Sequence, residues 1–223
     1  MKKSLFIQAL TKYLAGLIIV MLLLFIPAGT LRYPNGWLFI GLLFIPMLFL
    51  GIALLIKAPE LLEKRLQSKE SEGEQKKVVG FSAIMFLVGF ILCGIDYRFG
   101  WSSMPKAVSI AASVVLLISY GLYAEVMREN AYLSRTVEVQ EGQEVIDAGL
   151  YGVVRHPMYF STVLLFLSIP LVLGSWFGFI LFISYPFLMV KRIKNEEAVL
   201  EAGLKGYTDY KQRVRYKMLP FIW

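Results

Sequence analysis

The chain contains a single cysteine, Cys93, and a single histidine, His156, in 223 residues. One thiol excludes an internal disulfide and a zinc site built on thiolates. With only one imidazole as well, no conventional metal centre is expected. Cys93 stands in the apolar run FILCGI and reads as a small buried residue. Charge is also scarce. Asp, Glu, Lys and Arg make up 17% of the chain, against 57% hydrophobic residues and a mean hydropathy of +0.64. Soluble domains carry about 45–50% apolar residues, so a soluble globule is excluded. No G-x-G-x-x-G loop is present, which excludes the Rossmann-type dinucleotide fingerprint. No aromatic-interleaved basic patch of the RNA-binding kind stands out, so no nucleic-acid partner is expected. The net charge of +7 instead fits membrane-flanking loops and anionic lipid headgroups.

What the chain has is apolar runs. They cover about 5–27, 36–56, 78–95 and 106–127, and two shorter ones cover about 157–173 and 176–190, split by LGSW. A bilayer crossing needs roughly 20 apolar residues. The pattern predicts an all-α polytopic integral membrane protein: four full transmembrane helices plus a C-terminal helical hairpin, five or six membrane segments in all. The run from Leu14 to Pro27 lacks a small-residue cleavage site and reads as a first span, not a removed leader. Residues 1–127 are expected to anchor the chain and give lipid access. Residues 128–223 are expected to carry the chemistry.

Lys and Arg concentrate in the loop 57–77, in the segment 128–156 and in the tail from Lys191 onward; the other side carries only Arg32, Arg98 and Lys106. The positive-inside rule then puts both termini and every charge-rich segment of the second half in the cytoplasm. The host membrane would be the plasma or inner membrane of a bacterium, or the endoplasmic reticulum of a eukaryote. Loop 57–77 reads as a solvated helix and turn. In segment 134–148, TVEVQ alternates and EGQ can turn, which predicts a small extended excursion ending at a tight point, Gly149. Asp96 and Arg98 read as loop residues near the outer face.

Three clusters abut the cytoplasmic ends of the short runs: YGVVRHPMY (151–159), KRIKNEEAVL (191–200) and YTDYKQRVRYKMLPFIW (207–223). Pro157 lacks an N–H and suits a first helical turn, so Arg155 and His156 stand at a helix N-terminus, where free N–H groups attract anions. Anchoring at headgroup level is the plainer alternative. Arg192 and Glu196 are four apart and share a helix face, with Glu197 roughly 100° round from Glu196. Two adjacent carboxylates near a membrane are costly unless something cationic balances them: Arg192 for one, a cationic ligand for the other. A solvated ion pair is the alternative. Tyr207, Tyr210 and Tyr216 offer faces for a nucleobase or cation, or simply an interfacial belt.

Together these clusters resemble the isoprenylcysteine carboxyl methyltransferases, which group with membrane phospholipid methyltransferases. The matching pattern runs from REN (128–130) through VEVQEGQEVIDAGLYGVVRHPMY, LGSW, KRIKNEEAVL and GYTDY to LPFIW, about the last 100 residues. The resemblance implies a cytoplasmic pocket for S-adenosylmethionine without a Rossmann fold. It implies a pocket wall of Tyr151, His156, Pro157 and Tyr159, closed by Arg192, Glu196 and Glu197 and covered by Tyr207 and Tyr210. Arg155 would stand nearest the methyl acceptor, with Asn130 as a second substrate contact, and Arg155 and Glu197 would be the catalytic pair. The implied partners are the bilayer and a membrane lipid or a prenylated small molecule or protein; the oligomeric state is not implied. A carboxylate acceptor needs holding, which a guanidinium fork does. An amine acceptor needs a proton removed, for which Glu196 or Glu197 is the candidate. The chain departs from the family at Leu150 and at Phe160-Ser161, which bears on the acceptor more than on the cofactor. An NADPH-dependent membrane sterol reductase is the nearest rival, and a small transporter or assembly factor the non-catalytic one.

Overall fold

An apolar segment in lipid has no water to bond its backbone, so its N–H and C=O groups must pair within a helix. In the computed structural model, which describes residues 2–66, 73–134 and 136–223, the described residues form nine α-helices and no strand. These are α1 (Lys2–Ala28), α2 (Pro34–Lys57), α3 (Pro59–Leu66), α4 (Gly73–Phe99), α5 (Lys106–Glu129), α6 (Pro157–Leu173), α7 (Trp176–Phe182), α8 (Ser184–Gly203) and α9 (Tyr207–Arg213). Five stretches are long and apolar enough to cross a membrane: α1, α2, α4, α5 and the nearly continuous α7–α8, Trp176–Gly203. Pro157–Leu173 is the shorter sixth. The all-helical architecture with four full spans and a C-terminal hairpin is borne out.

The hairpin turns on local chemistry. Gly174 takes φ +83° and its N–H bonds the carbonyls of Leu171 and Pro170, ending α6. Ser175 then caps α7, its hydroxyl accepting from Gly178 N–H. Helices approach closely where side chains are small, as expected inside a membrane. A Cβ on Gly94 would lie 2.5 Å from the Leu24 carbonyl, and one on Gly178 2.5 Å from Cys93 Sγ. Cys93 is therefore buried in the packing between α4 and α7, as its apolar setting predicted.

The two ends of the bundle differ in character. At one end Lys12 reaches the Leu66 carbonyl, Arg65 reaches Ser134, and the N–H groups of Arg155 and His156 pair with the tail at Tyr216 and Lys217. The N-terminal helix, the 57–66 segment, the 128–156 segment and the tail thus share one end, as their common basic character predicted. At the other end Tyr33 Oη donates to the Leu173 carbonyl at 2.6 Å, and Asp96 meets Ser102 and Ser175.

Two expectations are corrected here. Asp96 and Arg98 are not loop residues: both lie inside α4, and Asp96, almost fully buried, accepts from Ser102 N–H at 2.7 Å, Ser102 Oγ at 2.6 Å and Ser175 Oγ. Burial is tolerated because three donors replace water. The loop 57–77 is not simply solvated either. Leu61 and Leu62 of α3 are buried, Leu61 in a cluster with Val126, Met127, Leu133 and Tyr151. The turn expected beyond α3, with Lys69, lies outside the described residues, as does Arg135.

Candidate functional site

Pro157 opens α6 at its first position, with His156 as the flanking cap residue. This start is not a bare anion site. The N–H of Arg155 donates to the Tyr216 carbonyl at 2.9 Å, and that of His156 to the Lys217 carbonyl at 2.8 Å. The tail therefore occupies donors that sequence reasoning had left free. Its cost is nil for the fold, since each buried N–H finds an acceptor.

Side chains from α6, α8, α9 and the 130–156 segment line an open cavity of about 820 Å³, counting its mouth. Asn130, Tyr151, Arg155, His156 and Tyr159 line it from the first cluster and the segment before it; Arg192 and Glu196 line it from α8; Tyr207 and Tyr210 line it from α9. Residues distant in the chain thus share one hollow. Pro157 and Glu197 are not part of its wall.

Glu197 lies behind that wall and is only 3% exposed. Its Oε1 accepts from Arg155 Nε at 2.7 Å and faces His156 Nε2 at 3.3 Å, while Oε2 meets Lys217 Nζ at 3.1 Å. Arg155 Nη1 also donates to the carbonyls of Val214 (2.6 Å) and Arg215 (2.9 Å). The guanidinium expected to face a methyl acceptor is therefore spent on a buried carboxylate and on the tail backbone. Removing one partner of such a buried pair leaves an uncompensated charge.

Glu196 has the other orientation. Arg192 Nε donates to Tyr159 Oη at 3.0 Å, and that phenol donates in turn to the Glu196 carboxylate. The imidazole of His156 stands between the twin acids, with Nδ1 4.0 Å from Glu196 and Nε2 3.3 Å from Glu197. The cavity therefore holds a guanidinium, a phenol and a carboxylate in series, with an aromatic ring beside them.

The roof comes from elements that sequence reasoning treated lightly. The segment 132–146 contributes Tyr132, Leu133, Val137, Gln143 and Ile146. It forms no strand among the described residues, but it packs, with Val139 and Val145 set against Leu204, Tyr207, Tyr210 and Val214. Asn130 caps α5, and its Nδ2 donates to Tyr151 Oη at 2.9 Å. Tyr210 Oη donates to the Tyr151 carbonyl at 2.8 Å. Gly149 is the tight point expected: its φ is +60°, and a Cβ there would lie 1.9 Å from Glu129 Oε1, the carboxylate that accepts from Leu150 N–H.

Tyr207 is the exception in this network. It is almost fully buried in the cavity wall, yet its hydroxyl has no hydrogen-bond partner. Burial, aided by the charges of Glu197 and Glu196, pushes its phenol well above the usual range, so it is a neutral donor. A buried donor left unpaired costs about 1–3 kcal/mol, which marks a place for a ligand atom. Lys217 and Arg65 near the site, and Glu138 and Glu144 in the cavity wall, are charged residues that sequence reasoning missed. Their signal was positional only, and nothing in local spacing points from α3 to residue 134.

Residues 107–205 match the phospholipid methyltransferase family. The resemblance drawn from the sequence is borne out. The fold is that of the eukaryotic intramembrane Ras methyltransferase ICMT, an isoprenylcysteine carboxyl methyltransferase, at TM-score 0.58 and 19% identity, over 96% of this chain and 77% of that one. The mouse Delta(14)-sterol reductase TM7SF2 is 25% identical over 91 residues, 40% of this chain. The chain spans only 22% of that reductase's length. The family model spans residues 107–205, the structural likeness shows the fold, and five helical stretches are long and apolar enough to cross a membrane.

Proposed function

We propose that the chain takes a methyl group from S-adenosylmethionine and passes it to a lipophilic acceptor, an isoprenylcysteine-type carboxylate or a similar lipid. The observation that carries this reading is the single cavity joining His156, Tyr159, Arg192, Glu196 and Tyr207, with the Tyr207 hydroxyl buried and unpartnered. These residues fit the cofactor. A zwitterion with a cationic sulfur matches a wall that offers both a carboxylate and a guanidinium, and aromatic faces suit an adenine and a sulfonium alike. Bound there, S-adenosylmethionine would supply an activated methyl group for in-line displacement.

This chain's residues then have separable tasks. Glu196 attracts the cationic part of the ligand, and Arg192 its carboxylate. Tyr207 donates the hydrogen bond it makes to nothing else. His156 and Tyr159 shape the pocket floor, and Tyr151, Asn130 and Tyr210 hold the roof. Arg155 and Glu197 are best read as positioning residues that lock the His156 segment onto the tail. Residues 1–127 serve as anchor and lipid-access region, and 128–223 as the core. The basic end faces the cytosol, where the soluble donor is found, while the acceptor arrives from the bilayer.

The reductase relative motivates a second reading, in which the same cavity takes NADPH. Glu196 in the wall opposes it, since a carboxylate repels a 2′-phosphate. Calorimetric titration with both molecules separates the two. S-adenosylmethionine binding, followed by transfer of labelled methyl into a lipid extract, supports the methyltransferase. NADPH binding alone replaces it with the reductase.

A further inference from the structure

Arg65 is a charged residue of this end that the reading above leaves without a task. It comes from α3, in the anchor half, and stands behind the cavity wall, against two residues that line it. Its Nη1 donates to the Ser134 carbonyl at 2.9 Å and lies 3.7 Å from Met158 Sδ, and both residues line the cavity. Its Nη2 bonds Tyr123 Oη, and the guanidinium also lies over the Tyr123 ring, 5.5 Å from the centroid. It therefore joins α3, α5, the start of α6 and the roof segment at one point.

All of these partners are neutral. Several other cations at this end answer carboxylates: Arg155 and Lys217 meet Glu197, Arg128 meets Glu125, and Arg213 meets Asp147, while Lys12 meets the Leu66 carbonyl. Arg65 is half-buried and faces no acid among the described residues. Its three contacts leave part of the five-donor guanidinium fork unused. A partly desolvated cation with spare donors favours an anion, and the fork geometry favours a carboxylate or a phosphate oxygen. The position is the junction between the helix ends and the cavity, where a bilayer-borne molecule would bring its polar head.

We infer that Arg65 is a binding residue for the anionic head of the lipophilic acceptor. The inference rests on the methyltransferase reading and adds to it the residue that holds the acceptor's anionic head. Arg155, tied to Glu197, does not serve this purpose; Arg65 does.

The test uses purified full-length protein in neutral detergent and native mass spectrometry with paired probes. Palmitate against palmitamide tests a carboxylate head, and phosphatidic acid against diacylglycerol tests a phosphate head. The wild type should favour at least one anion over its neutral partner by about tenfold. R65Q should lose that preference, and R65K should keep part of it. In the wild type alone, the favoured anion and not its neutral partner should shield Arg65 from phenylglyoxal, so the result does not depend on a variant folding. No anion preference, a preference that R65Q retains, or no shielding overturns the inference. A wild type that prefers the anion but binds no S-adenosylmethionine defeats the methyltransferase reading and leaves the anion site standing.

Discussion

Glu196 and Glu197 are neighbours in α8, yet they serve opposite sides of one wall. Glu196 lines the cavity beside Tyr159, while Glu197 is buried behind it with Arg155, His156 and Lys217. One helical step of about 100° separates the two directions. The two acids should therefore fail differently. Glu196→Gln should leave thermal unfolding in detergent nearly unchanged and weaken S-adenosylmethionine binding about tenfold, the scale of one charge-assisted contact. Glu197→Gln should cost roughly 3 kcal/mol or more of stability, because it strands a buried guanidinium. Equal effects of the two variants on unfolding would contradict this division.

Tyr207→Phe isolates the unpartnered hydroxyl. Removing a donor that bonds nothing in the free protein should leave stability unchanged or raise it slightly. Ligand affinity should fall about fivefold to tenfold, the scale of one lost hydrogen bond. Calorimetry on the variant reads both. A stability loss with unchanged affinity would mean that the hydroxyl serves the fold.

Arg155 combines an ion pair with two bonds to the tail backbone. Arg155→Ala should abolish turnover and also loosen residues 214–217, which limited proteolysis detects as earlier cleavage of the tail. Arg155→Lys keeps the charge but not the fork, and should restore little. A variant with a protease-resistant tail and no activity would return Arg155 to direct contact with substrate.

Gly149 tests the roof. Alanine there combines φ +60° with a Cβ 1.9 Å from the Glu129 carboxylate. The cost should be about 1–3 kcal/mol, with weaker cofactor binding as Tyr151 shifts. Gly142 has a positive φ too, but a Cβ there meets nothing within 4 Å, so alanine at 142 is the control and should cost less.

The sequence alone determined what local patterns encode. Span lengths follow from apolar runs, helix ends from Pro157 and Gly174, the tight point from Gly149, and the shared end of the charged segments from the basic bias. These signals act over a few residues or a whole loop, and a bilayer leaves few alternatives to helices. The three clusters were legible for the same reason, since ionisable groups beside apolar runs are conspicuous. Tertiary structure decided their roles. Periodicity does not say which of Glu196 and Glu197 faces inward, because two identical side chains one step apart are distinguished only by what packs on each side. Arg155 finds Glu197 across 42 positions, Asp96 finds Ser175 across 79, and Arg65 finds Ser134 across 69. Such partners are set by how helices dock, and docking depends on small-residue contacts such as Gly94 on Leu24 that carry no sequence label.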